Sequence, residues 1–324
     1  MSGRPNGRRR WLWIKALVSV GLLAWLGYRM VRRDGVELLV ERLASLDVGW
    51  LAVAIALHFV AVVAGVSRWK TLLEATGLQH GFGRLLRSFL VGRFVGAFTP
   101  STTGLDGWRL YDVGRAPGAM ARSAAVIVVE KLVGLVGMAI VCAGLIPFGG
   151  IELMGPTAPL AALGMASAAI VGLGLLRRPA WIAAVVERVP HAKARAIGAK
   201  VVDALGQSRL DARGAGTAVT LGVISHLALS SVFFATARSI GVDASPLTLL
   251  VAGNAITLAV LLPVSVGGVG VREGVAVVLL ATVGVVSTDA VLVALLGYLT
   301  GQVPALLGGV LTLVDRRPEV PSPA

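Results

Sequence analysis

The sequence predicts an all-α polytopic membrane protein with about six full transmembrane helices and two re-entrant, broken-helix hairpins related as an inverted repeat. Three observations carry that prediction. Of 324 residues, 56% are hydrophobic; apolar runs of span length alternate with basic clusters; and two long apolar stretches break at mid-length on similar segments rich in proline and glycine. A helix rising about 1.5 Å per residue needs about twenty residues to cross roughly 30 Å of hydrocarbon, so runs of eighteen or more are candidate spans. The mean hydropathy of +0.83 agrees with several of them.

In chain order, full spans are expected at about 11–30, 47–67, 121–147, 157–176, 217–239 and 289–313. The first follows the basic flank RPNGRRR and shows no small-residue cleavage site, so it is expected to be a retained signal anchor. The two interrupted stretches, 85–112 and 247–286, are read as the hairpins, because proline removes a helix hydrogen bond and glycine favours non-helical backbone. Segment 180–213 places charged residues at helical spacing among apolar ones and is expected to lie as amphipathic helices on the cytoplasmic headgroups. Residues 317–324, proline-rich, are expected to be disordered. Residues 1–316 thus form one membrane domain in two halves, about 1–156 and 157–316.

Lys and Arg set the orientation. The basic residues at 8–10, Arg68 and Lys70, Arg84, Arg87, Arg115, Arg122, Arg177 and Arg178, the 188–213 stretch, and Arg316 and Arg317 fall on one side if both breaks are re-entrant. The positive-inside rule makes that side the cytoplasm, with both termini there. The loop at 31–46 runs against this count, with Arg32, Arg33 and Arg42 partly balanced by Asp34, Glu37 and Glu41. The net charge of +13 therefore reads as topology and contact with anionic headgroups, not as a nucleic-acid surface. A single cysteine, Cys142, excludes an intrachain disulfide or a cysteine zinc site. No metal or cofactor is expected, and glycine stretches such as GGVGVREG follow no strand, so no nucleotide fingerprint is present.

The breaks read as copies. Aligning PSTTGLDGWR (100–109) with PVSVGGVGVR (263–272) matches Pro100 with Pro263, Gly104 with Gly267, Gly107 with Gly270 and Arg109 with Arg272; Gly268 adds to the second break. Their separation of 163 residues is about half the chain, as a duplication requires. Three full spans lie between them, so the hairpins open to opposite sides, an inverted repeat of the kind that builds many transporters. Irregular backbone survives in hydrocarbon only when buried in protein or lining a wet cavity. Each second half-helix starts at its break, so free N–H groups and a positive dipole end should stand beside Arg109 or Arg272, a corner suited to an anion such as phosphate. Ser101 and Ser265 would add hydroxyls. The alternative is structural: glycines pack helices closely, Arg272 neutralises Glu273, and Arg109 neutralises Asp106.

Glu130 and Lys131 fall near the midplane of their span, and His58 and His226 at similar depth on two others. Intramembrane ionisable groups point to a headgroup site or a proton relay; the alternative for the histidines is a neutral ring satisfied by a hydroxyl or a backbone carbonyl. Lys131 points about 100° away from Glu130 and is expected to face the other hairpin. Asp106 beside Ser101, Thr102 and Thr103 has atoms for acid–base work, but no second group is tied to it.

On these residues the chain resembles the lysylphosphatidylglycerol synthase transmembrane family, a flippase-like region shared by multiple peptide resistance factors and many stand-alone proteins. The resemblance rests on RWKTLLEATG (68–77), FTPSTTGLDGWRLYDV (98–113), AAVIVVEKLVGL (124–135) and LPVSVGGVGVREG (262–274), the last being the most specific. It is expected to be a stand-alone member lacking the synthase domain, and its first break has Thr-Gly-Leu-Asp-Gly where the family commonly has Gly-Gly-Asp. The resemblance implies lipid translocation across a bacterial cytoplasmic (inner) membrane, with Arg109, Glu130, Arg272 and Glu273 at a headgroup site. The cargo expected is an anionic phospholipid or a polyisoprenyl-phosphate-linked lipid, with a separate lipid synthase or glycosyltransferase and a homo-oligomer as conceivable partners. An enzyme transferring a group to or from a lipid carrier, with Asp106 or Glu130 as base, and a non-catalytic partner of a synthase are the alternatives.

Overall fold

The computed structural model describes residues 21, 24, 25, 28, 35–99, 103–115, 118–177, 179–206, 210–261 and 268–314. These are helical, without a strand among them. The chain is an all-α polytopic membrane protein: four apolar helical stretches are long enough to cross a bilayer, Val48–Ala75, Ala119–Leu175, Ala212–Ser239 and Ser287–Val314. The expected spans at 47–67, 121–147, 157–176, 217–239 and 289–313 all coincide with helices, while the one at 11–30 and the 317–324 tail lie largely or wholly outside the described residues. Large apolar side chains such as Leu160, Ile170, Val278 and Leu306 are exposed, as a lipid-facing surface requires.

The helices are α1 (Gly35–Ala44), α2 (Val48–Ala75), α3 (Phe82–Ala97), α4 (Thr103–Val113), α5 (Ala119–Leu145), α6 (Ala158–Arg177), α7 (Pro179–Glu187), α8 (Ala192–Gly206), α9 (Ala212–Ser239), α10 (Pro246–Leu261), α11 (Val271–Ala281) and α12 (Ser287–Val314). A π-turn at Ile146–Gly150 and two short helical turns reverse the chain between α5 and α6, so Gly172 lies against Val136. The 180–213 segment holds α7 and α8, and α8 packs on α5.

Helix lengths repeat. α2 to α5 have 28, 16, 11 and 27 residues, and α9 to α12 have 28, 16, 11 and 28. The equivalent long helices α2 and α9 pack against each other antiparallel: Asp47 N–H donates to Ser239 O at 2.8 Å, the rings of Trp50 and Phe234 meet edge-on at 5.5 Å, and Ser225 Oγ donates to Ala61 O at 3.5 Å. Equivalent helices that run in opposite directions make the two units an inverted repeat. Asp47 caps α2 through Gly49 and Trp50, and Asp211 caps α9 through Gly214, so both repeats open on the same sequence device.

Each repeat carries a hairpin of two helices, one 16 and one 11 residues long. α3 starts beyond the end of α2 and α10 starts beyond the end of α9, and because those ends lie at opposite extremities the hairpins enter from opposite sides. In the first, Gly92 and Gly96 at the far half of α3 meet Leu105 near the start of α4. Arg84 and Ser88, nearer the start of α3, line one groove with Asp112 and Arg115 at the end of α4. The start of α3 and the end of α4 thus lie together, and the two helices run antiparallel. In the second, Gly268, at φ +77°, turns beneath Val260; any Cβ there would strike the valine side chain, so both the turn and the close approach require glycine.

Candidate functional site

Three helices converge on one carboxylate. Arg68 sits in the final third of α2, Arg109 seven residues into α4, and Glu130 twelve residues into α5. Glu130 Oε2 accepts from Arg109 Nη2 in an ion pair, and Glu130 Oε1 accepts from Arg68 Nη2 at 3.3 Å. Arg109 and Glu130 are buried, 3% and 5% exposed. The Arg109 guanidinium lies 4.0 Å over the Trp69 ring and 5.3 Å from that of Phe89, so aromatic faces replace part of its lost hydration. Backbone contact between α5 and α9 completes the arrangement: a Cβ at Gly137 would stand 2.7 Å from the Gly222 carbonyl carbon, and Gly222 itself lies beside Arg68.

Asp106, one turn before Arg109, meets Lys131 Nζ at 2.6 Å and Arg109 Nη1 at 3.9 Å. The expectation that Lys131 faces the other hairpin is thereby overturned. Lys131 turns away from its neighbour Glu130, as the helix dictates, but the side chain reached is the carboxylate of the first hairpin, and half of the lysine stays exposed. Asp106 is thus neutralised chiefly by Lys131, with Arg109 a longer-range neighbour.

In the second hairpin Glu273 is 1% exposed and accepts from the Gly270 N–H at 2.6 Å, capping the start of α11. Arg272 lies with Nη1 3.7 Å from Glu273 Oε1 and its guanidinium 4.5 Å from the centre of the Tyr298 ring. Two sequence expectations change here. The arginines align by residue but not by helix register, Arg109 being the seventh residue of α4 and Arg272 the second of α11. The half-helix starts also hold protein partners: the Gly104 N–H donates to Thr99 Oγ1 at 3.0 Å, and Gly270 to Glu273. The anion expected at the second start is already supplied in part by Glu273.

The histidines do not converge on Glu130. His58 Nε2 lies 3.1 Å from Gly297 O on α12, whereas His226 lies beside Arg68 and the Gly134 backbone. Next to His58, Arg93 Nη2 donates to Gly301 O at 2.9 Å, one turn along α12 from Gly297, and its enclosed Nε has no partner among the described residues. Among the described residues no carboxylate pairs with Arg93. His58, Arg93 and Arg272 are near enough to one another to interact electrostatically at His58. Pro100, Ser101, Pro263, Ser265 and Gly267 lie outside the described residues. Gly107 is open, whereas Gly104 packs on Thr99 and Gly96.

Arg68 and Arg93 were not among the expected site residues. Sequence counting assigned Arg68 to a cytoplasmic flank, yet α2 continues to Ala75 and keeps it within the helix. Arg93 had a readable signal, a lone arginine inside the apolar run FLVGRFVGAF just before a break.

Among the described residues no group of three metal-ligating side chains occurs. The family described as the lysylphosphatidylglycerol synthase TM region matches residues 12–309. No curated protein matches the chain. With a match over most of its length, the chain belongs to that family and is a multi-pass membrane protein related to lipid handling.

Proposed function

We propose that this member of the lysylphosphatidylglycerol synthase transmembrane family moves an anionic phospholipid or a lipid-linked precursor across the cytoplasmic membrane, holding its phosphate at arginines beside two re-entrant hairpins. The observation that carries this is the deficit of carboxylate around the hairpins among the described residues: Arg68 and Arg109 share Glu130, and the described partner of Arg93 is a carbonyl. A guanidinium in a low-dielectric interior needs an anion, and bidentate phosphate suits it best.

In this reading Glu130 is a movable counter-ion. It holds Arg68 and Arg109 in the empty protein, and a phosphate arriving at Arg109 takes its place while the carboxylate stays with Arg68. On the other hairpin, Arg272 lies against the Tyr298 ring and near Glu273, and with Arg93 it offers phosphate a second station. Because the repeats are inverted, the stations face opposite sides and can alternate in access. The basic cluster of Arg84, Arg87, Arg115 and Arg122 marks the cytoplasmic end, while at the other end Arg42 and Arg238 are matched by Asp289 and Asp243. The drive is a gradient, a partner or downhill equilibration.

The test is leaflet exchange of a headgroup-labelled anionic phospholipid in liposomes holding the full chain. Arg93→Gln should slow exchange strongly and Lys131→Gln little; equal rates for both would remove the proposed role of the buried arginines.

A further inference from the structure

A separate groove of about 520 Å³ opens between α3, α4 and the end of α12, away from the Glu130 network. Its walls carry Arg84, Arg87, Ser88, Trp108, Asp112 and Arg115. Arg84 and Arg115 are exposed and Arg87 half-buried. Arg115 is held by stacking 4.0 Å over Tyr111, and Arg84 Nη1 lies 3.3 Å from His80 Nδ1. Three guanidiniums against the single carboxylate of Asp112 leave the groove cationic.

Basic residues at a membrane edge need no ligand to explain them, since they set topology. Two other groups do need explaining. Ser88 is 4% exposed, and among the described residues its hydroxyl has no hydrogen-bond partner; the indole Nε1 of Trp108 is enclosed and equally unpartnered there. Unmet buried donors are uncommon in native proteins and costly, so two lining one cationic groove mark a place where an acceptor belongs. Glycine at 83 and 92 keeps α3 low beside them, and a Cβ at Gly92 would press on Leu105 and Trp108.

We infer that this groove binds a phosphate group, with Ser88 Oγ and Trp108 Nε1 donating to its oxygens and Arg84, Arg87 and Arg115 supplying charge. The phosphate is that of a lipid headgroup or of a soluble ion. The site is distinct from the buried arginine stations and requires the chain to bind phosphate, not to move lipid.

The experiment uses the full chain in a neutral detergent at low salt and phosphatidylglycerol with a fluorescent acyl chain, read by anisotropy. Diacylglycerol with the same fluorescent chain serves as the phosphate-free control, and inorganic phosphate as competitor. Wild type should bind the phosphatidylglycerol probe at least about tenfold more tightly than either the Arg84→Gln/Arg115→Gln double variant or the control lipid, and Ser88→Ala should weaken it by about threefold or more. Displacement by millimolar inorganic phosphate assigns the site to a soluble ion; persistence against it assigns the site to a lipid headgroup. Equal binding of the phosphatidylglycerol probe by wild type and both variants would overturn the inference. Since no leaflet is read, failed lipid exchange in vesicles leaves this result standing, and failed binding here does not decide exchange.

Discussion

Glu130 and Tyr298 are each the twelfth residue of equivalent helices, α5 and α12, and each meets the arginine of its own hairpin. The repeat keeps the position and changes the partner: a carboxylate against Arg109, an aromatic ring against Arg272. Glu130 is shared between Arg109 and Arg68, whereas Tyr298 meets Arg272 through its ring face. That asymmetry makes separable predictions.

Removing the carboxylate strands two cations. Glu130→Gln should lower stability by about 3–5 kcal/mol, because buried Arg109 is left with aromatic rings and the more distant Asp106, and half-buried Arg68 loses its carboxylate. Thermal unfolding in detergent should show it, and combining Glu130→Gln with Arg109→Gln should cost clearly less than the two single effects added.

The Asp106–Lys131 pair should behave otherwise. Half of Lys131 is exposed, so Lys131→Gln is expected to cost under about 1 kcal/mol by the same unfolding measurement. A loss as large as that of Glu130→Gln would mean that the pair is far drier than its exposure indicates.

Tyr298 contributes its ring face. Tyr298→Phe keeps the cation–π contact and should change stability little, whereas Tyr298→Leu should cost about 0.5–2 kcal/mol. If Phe and Leu are equally harmful, the hydroxyl and not the ring is what Arg272 requires.

The fold was legible in sequence where physics is repetitive. Span lengths recur because bilayer thickness is fixed, and the repeat expected from the two breaks has its counterpart in the matching helix lengths of α2–α5 and α9–α12. What escaped was register. A four-position match aligned Arg109 with Arg272, but α4 begins directly after a five-residue gap and α11 after nine, so the two guanidiniums occupy different turns. Hydropathy likewise ended the second span near residue 67, and the helix that carries Arg68 inward became visible only in three dimensions. Arg109 and Glu130 were both expected at the site; their direct pairing depends on the approach of α5 to α2 and α9 through Gly137 and Gly222, which no local pattern encodes.

His80, in the connection between α2 and α3, has its pKa lowered from the ordinary 6.5 by burial first and Arg84 second, against an opposing contribution from Asp112. A histidine that protonates less readily folded than unfolded leaves stability intact above about pH 6.5, and stability is lost as pH falls below that value toward the folded pKa. Partial exposure keeps the effect small. NMR titration of the ring should show the lowered midpoint, and phosphate bound in the neighbouring groove should move it upward.

The most direct measurement is leaflet exchange of headgroup-labelled anionic phospholipid in liposomes, comparing the wild-type chain, Arg272→Ala and protein-free vesicles. Exchange well above the protein-free rate, falling about tenfold or more on Arg272→Ala, is expected if the hairpin arginines carry the phosphate. A wild-type rate equal to that of empty vesicles, across anionic phospholipids and polyisoprenyl-phosphate sugars alike, would contradict lipid translocation by this chain.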